Sequence, residues 1–414
     1  MAQPVLTAAA LEEISAAIAR PVGSKAHCAS EFLKKEGLPP GLVEEMDGLT
    51  DETPMRFWII DNSDSMRKKD GQHLEVAEDG SISSTPCSRW AELADTLRWH
   101  GAVAEELQAW TQFRLLNAAM GCQQNITVGA KKGVGLGSLE KLIGSEPVGE
   151  TPLVAALKGV TAEIAKVSDA LVKASKVAVV IIASDGEPSD GDVRDALFEL
   201  QKLPVAVRVR LCTNSADVLG FWNKVDKTSA GGLDILDDVH NEAKEVAKGN
   251  NWLTYSLVLH HVREFGCTKK VLDLLDERSL QPAEIREFIV LLFGSHLNAT
   301  LPDPGADMMG FIKATTDLLA AEPPIWNLTQ KKKTAWIDLK RGRRGSAGQG
   351  WSGPSFRFFF SFASGLASSA AGFFAFFRLL GLRSSGRSAP GARPRSRQSR
   401  AARSLRLPPA LAPR

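Results

Sequence analysis

The chain has 414 residues, 44% hydrophobic and 24% charged, a balance that fits a globular protein of two or three domains. Its formal charge of +2 conceals a segregation: residues 339–414 hold 15 Lys or Arg and no acid, leaving 35 basic against 48 acidic residues in 1–338, about −13. An acidic body excludes specific nucleic-acid binding, which needs a basic face against phosphate; only the tail could bind it, without sequence preference.

The N-terminus, "MAQPVLTAAALEEISAAIARPVG", lacks a basic start and puts Glu12 and Glu13 where a signal peptide needs an apolar core. A cytoplasmic setting is therefore expected. Five scattered cysteines (Cys28, Cys87, Cys122, Cys212 and Cys267) without a CxxC fit reduced thiols rather than a disulfide or zinc framework. The sequons at Asn125, Asn298 and Asn327 are then chance matches. Residues 7–20 carry the spacing of an amphipathic helix, and a Gly/Pro-punctuated stretch leads to "RFWII" (56–60), a short, wholly apolar strand suited to a parallel sheet. "HLEVAEDGSISSTP" predicts a hairpin around Glu78-Asp79-Gly80, and residues 88–110 a long helix with a serine start. "FRLLNA" reads as the next strand, the glycine-rich 128–138 as a loop, and 153–174 as helix. "KVAVVII" is again a buried strand, followed by a helix over 193–203, the strand "VAVRVRLCT" and a helix over 215–226.

Strands alternating with helices predict a Rossmann-like, doubly wound α/β domain with a mostly parallel sheet over 53–248. A helical N-terminal segment, 1–52, precedes it, and a helical extension, 249–338, follows. The tail, 339–414, is of low complexity: nine of the 18 Phe fall in 356–377, and 358–377 carry no charge. Twenty uncharged residues have the length of a membrane span. Their Ser, Ala and Gly content and the acid-free, Arg/Pro-rich sequence beyond fit a disordered tail or translated non-coding sequence better.

The two central strands both end abruptly in acid. "FWIIDNSDSMRKK" runs from an apolar strand into Asp61, Ser63 and Ser65, and "VVIIASDGEPSDGD" runs into Asp185. In an open parallel sheet, ligands bind beyond the carboxyl ends of the strands near the topological switch point, so both acids belong on that rim. "VGETPLVAAL" lies between them in sequence, with Thr151 ahead of a helix. Taken singly, these residues read as helix caps and turn formers.

Together, "DNSDS", "GETPL" and "ASDGEPSDG" resemble the metal-ion-dependent adhesion site of von Willebrand factor A domains, over about 53–248. The resemblance implies a divalent cation, Mg²⁺ (or Mn²⁺ or Ca²⁺), held by Asp61, Ser63, Ser65, Thr151 and Asp185. It implies also a protein partner that offers an Asp or Glu to that ion. The oxygen chemistry agrees: Mg²⁺ takes six oxygens at roughly 2.1 Å, three hydroxyls can serve directly, and two carboxylates can balance its charge. Asp64 departs from the pattern by adding charge, and the 66–87 insertion delays the next helix to form a lip. Asp190 and Asp192 are expected to cap the helix at 193–203.

A haloacid-dehalogenase-type site would need an acid where Ser63 stands, 128–138 lacks the Gly-Lys-Ser/Thr of a phosphate loop, and His260-His261 diverge on a helix. With no nucleophile and base in view, the chain is expected to be a non-catalytic adaptor or scaffold. The alternative is a metal-dependent hydrolase or phosphotransferase using the same rim.

Overall fold

The computed structural model describes residues 6–21, 30–79, 81–229 and 233–338. Among these residues ten strands run in chain order: β1 (Met55–Ile60), β2 (Gly71–Val76), β3 (Ile82–Cys87), β4 (Thr111–Leu115), β5 (Asn125–Val128), β6 (Ala178–Ser184), β7 (Val205–Leu211), β8 (Asp234–Leu236), β9 (Ile325–Asn327) and β10 (Lys332–Thr334). Six make one sheet, ordered β5-β4-β1-β6-β7-β8, parallel except for β5 at one edge. This is the Rossmann-like α/β fold expected from the alternation of strands and helices.

The strand sequences explain the layering. Every residue of β1 and β6 is buried, because helices cover both sheet faces. Phe57 and Ile59 pack on one face with the helices Leu153–Ala165 and Val193–Gln201. Trp58 and Ile60 pack on the other with Arg89–Glu106 and Leu136–Ile143. A further core joins Leu42 and Met46 of the helix Pro40–Glu52 to Val103, Val246, Phe265 and Phe288. Apolar packing thus runs without a break from the first segment into the helical extension.

Several element predictions are corrected. The long helix stops at Glu106 because Gln108 takes a positive φ of 51° and turns the chain into β4. Residues 153–174 form two helices, Leu153–Ala165 and Ser168–Ala174. The stretch 128–138 is bounded by the unforeseen β5 and runs into the helix Leu136–Ile143. The extension carries the small antiparallel pair β9–β10 besides its helices. The hairpin prediction held: β2 and β3 pair antiparallel from Gly71↔Cys87 to Val76↔Ile82. Among the described residues no helix is long and apolar enough to cross a membrane; 358–377 lies outside them.

Between the sheet and the helix Leu257–Phe265 lies a buried polar layer. Arg210 of β7 contacts Glu264 at 3.2 Å and Glu92 at 3.0 Å, and His100 contacts Glu264 at 3.1 Å. His261 stacks on Trp99 with ring centroids 4.3 Å apart, and burial pushes its imidazole down to about 3. The unfolded chain protonates this group near the ordinary value of 6.5, while the native state resists until about 3. The resulting stability is therefore complete above 6.5 and drains away as the pH falls towards 3. Urea melts across that window should show a falling midpoint, and His261→Phe, which keeps the stack on Trp99, should flatten the fall by up to about 1.4 kcal/mol per pH unit. An unchanged slope would show that His261 is not the group responsible.

Candidate functional site

The parallel register sets the site. Ile60 of β1 lies opposite Ala183 of β6, and the Asp61 amide donates to the Ala183 carbonyl at 2.9 Å. The next residues, Asp61 and Ser184–Asp185, therefore emerge side by side at the carboxyl ends, where the sheet order turns from β4 on one flank of β1 to β6 on the other.

Hydrogen bonds hold the loops around them. After β1, Asn62 and Asn117 exchange bonds: the Asn62 side chain donates to the Asn117 carbonyl at 3.0 Å and accepts from its amide at 2.8 Å. The Val148 amide donates to the Asn62 carbonyl at 2.6 Å, and the Asp64 amide to the Gly149 carbonyl at 3.0 Å. Gly149 sits at φ +80°, and a Cβ there would meet Asn117 Oδ1 at 2.9 Å, so glycine is required. This backbone pairing lays the threonine loop against the acidic one.

All five predicted residues converge. The Ser184 hydroxyl donates to Asp61 Oδ2 at 2.7 Å, and Thr151 Oγ1 lies 3.5 Å from the same oxygen. The Ser63 amide donates to Asp61 Oδ1 at 2.9 Å. Ser63 and Ser65 hydroxyls are 2.9 Å apart, and Ser65 donates to Asp185 Oδ1 at 2.7 Å. Asp61, Ser63, Thr151 and Asp185 are buried and Ser65 half-buried. The hydroxyls do not act as helix caps: Ser63 precedes the 3₁₀ turn Asp64–Arg67, and Thr151 the helix from Leu153, without a side-chain capping bond.

Asp61 has an unusual environment. Burial raises its carboxyl above the ordinary range, with neighbouring Asp185 adding to the effect, while hydrogen bonds from Ser184 and Ser63 oppose it. Its neighbours are hydroxyls and an amide, and no cation pairs with it among the described residues. A buried carboxylate normally pairs with a cation or binds a metal.

Asp185 differs, in a way no motif announced. Arg89, the first residue of the helix Arg89–Glu106, donates through Nη1 to Asp185 Oδ2 at 2.7 Å. Its other two nitrogens grip Asp70 at 2.7 and 2.5 Å, and Arg89 holds the Asp70 carboxyl below its usual range. Ser184 and Asn117 were also missed. Ser184 alone left a trace, as the last residue of an apolar strand directly before the acid.

Asp192 caps the helix Val193–Gln201 as expected, through the Arg194 amide at 2.9 Å. Asp190 does not. Its carboxylate accepts from the Val154 and Ala155 amides at 3.0 and 2.8 Å, capping the helix of the threonine loop instead. The Ser189 amide and hydroxyl both bond Thr151 backbone groups, so the third loop fixes the second. His260 and His261 are buried in the layer beneath the sheet, remote in role from this rim.

The rim gathers hard oxygen donors, the carboxylates of Asp61 and Asp185 and the hydroxyls of Ser63, Ser65, Thr151 and Ser184. No cluster of three or more His, Cys, Asp or Glu placed to hold a metal occurs among the described residues. Comparison with protein-family models and with curated proteins gave no match.

Chelator-treated protein should reveal the cost of burying Asp61. Asp61→Asn removes the buried charge and should raise stability by about 1 kcal/mol, the usual sign at a functional site. Ser184→Ala removes a donor and should lower it by about 1 kcal/mol. Thermal unfolding in chelator reads both; destabilisation by Asp61→Asn would mean that the charge is well solvated where it stands.

Proposed function

We propose that this chain is a divalent-cation-dependent protein-binding module of the von Willebrand factor A type, acting as an adaptor or scaffold. The observation that carries the reading is Asp61: a buried carboxylate without a paired cation, ringed by hydroxyl oxygens from three separate loops. Ser63, Ser65 and Thr151 would hold Mg²⁺ (or Mn²⁺ or Ca²⁺) with their hydroxyls, and Asp61 and Asp185 would balance its charge directly or through water. Bound there, the ion would supply a positive centre open to a carboxylate from outside.

The chain's own residues make such capture conditional. Asp64, Glu150, Glu187 and Asp190 are exposed around the opening. Without a cation, this rim repels an Asp or Glu side chain; with one, the local sign reverses. Met120, three residues beyond Asn117 and 98% exposed, would offer such a partner an apolar contact. The partner is then a protein presenting an acidic side chain next to an apolar one.

Calorimetry on the full chain should show uptake of one Mg²⁺ per chain, with none in Asp61→Ala and weakening of at least about tenfold in Thr151→Ala. Retention on an immobilised acidic peptide should include a fraction that chelator releases; binding through the basic tail is indifferent to chelator. The Asp61→Ala protein should lose that fraction and keep its fold by circular dichroism. Equal Mg²⁺ uptake by Asp61→Ala and the parent would remove the reading, and hydrolysis of a generic phosphate ester lost in Asp61→Ala would replace it with an enzymatic one.

A further inference from the structure

Both oxygens of Asp185 are engaged, one by the Ser65 hydroxyl and the other by Arg89. The Arg89 side chain is 7% exposed and that of Asp185 fully buried, so this pair is shielded from water. Arg89 is fixed from behind as well, its amide donating to the Lys68 carbonyl at 3.0 Å. Its guanidinium divides unequally: two nitrogens form a fork on Asp70, and one reaches Asp185. Asp70 is 51% exposed and directly precedes β2, at the root of the inserted hairpin.

We propose that Arg89 is a built-in counter-cation that competes with a divalent ion for Asp185, and that Asp70 sets the strength of this competition. The inference rests on the reading of the rim as a divalent-cation site. A fixed positive charge on a ligand carboxylate repels a second cation sharing that carboxylate, and a buried position keeps the repulsion from being screened. Asp70 draws the guanidinium's charge and its two-pronged geometry away from Asp185. Without Asp70, the fork would be free to turn upon Asp185 and oppose the ion more strongly. Without Arg89, Asp185 would offer its full charge. Arg89 and Asp70 are thus positioning residues, outside the set that touches the ion.

The two substitutions predict opposite signs, which a purely structural salt bridge would not. Calorimetric titration of the full chain with Mg²⁺ alone should show Arg89→Gln binding about tenfold tighter and Asp70→Asn several-fold weaker than the parent. Arg89→Lys keeps the charge and should stay within about threefold of the parent. Should Arg89→Gln unfold in chelator, its thermal midpoint should rise more on adding Mg²⁺ than that of the parent, because the ion then replaces the missing counter-charge. Weakening by both substitutions, no change with Arg89→Gln, or a smaller Mg²⁺-induced midpoint rise would overturn the inference and leave the cation site intact. A parent chain that takes up no Mg²⁺, indistinguishable from Asp61→Ala, would overturn the site and the inference together.

Discussion

The parallel pairing of β1 with β6 is the constraint from which the rest of the rim follows. Its register puts Asp61 beside Ser184 and Asp185, and burial of both strands on two faces leaves their acidic ends no lateral escape into water. A slip of one residue would turn Phe57 and Ile59 towards the layer that holds Trp58 and Ile60, so packing on both faces defends the register. The juxtaposed carboxylates are thus fixed by hydrophobic cores well away from them. The local loops then add oxygens, and their own bonds (the Asn62–Asn117 exchange and the Asp190 cap) set the positions of those oxygens.

This division explains what could be read from the sequence. β1 and β6 announce themselves as unbroken apolar runs ending in acid, so both Asp61 and Asp185 could be placed before any coordinates. Ser63, Ser65 and Thr151 were legible only through the resemblance of "DNSDS" and "GETPL" to the adhesion-site pattern. The missed strands β5, β8, β9 and β10 have only three or four residues, too few for a period of two to emerge from their surroundings. Arg89 was illegible for another reason. Its partners lie 19 and 96 residues away, and nothing in a helix start tells which carboxylates a long, flexible side chain will reach. The Asp190 misassignment has the same origin, since two helix starts compete for one acid and only the fold shows which amides face it.

The inserted hairpin gains meaning from Arg89. An insertion between the first motif and the long helix would ordinarily be a surface ornament, yet its root carries Asp70, which shares a guanidinium with Asp185. Only the root of the hairpin expected as a lip shares this guanidinium; its Leu74 and Ile82 pack against the core of the helical extension. Anything that shifts the hairpin root alters the charge that Asp185 presents, and a cation bound as proposed would by reciprocity bear on the hairpin.

The sheet face that carries Trp58 and Ile60 is treated in the opposite way. Arg56, Arg208 and Arg210 point from β1 and β7 into the layer beneath the sheet and are fully buried. Each has a partner in the helical extension and another outside it: Arg56 donates to the Phe265 carbonyl at 3.0 Å and to the Leu49 carbonyl, Arg208 to the Cys267 carbonyl and to Asp234, and Arg210 contacts Glu264 and Glu92. Removing that extension would take one partner from each buried cation and open the core that Val103 and Val246 share with Phe265 and Phe288, a loss large enough to threaten the sheet. The extension is therefore part of the same folding unit in energetic terms, whatever its role in binding. Buried cations are matched from within the chain on that side, while at the rim Asp61 has hydroxyls and an amide around it instead of a cation. That contrast, a buried carboxylate met by hydroxyls and an amide where the buried arginines meet carboxylates and carbonyls, is the physical reason to look for a ligand at the rim.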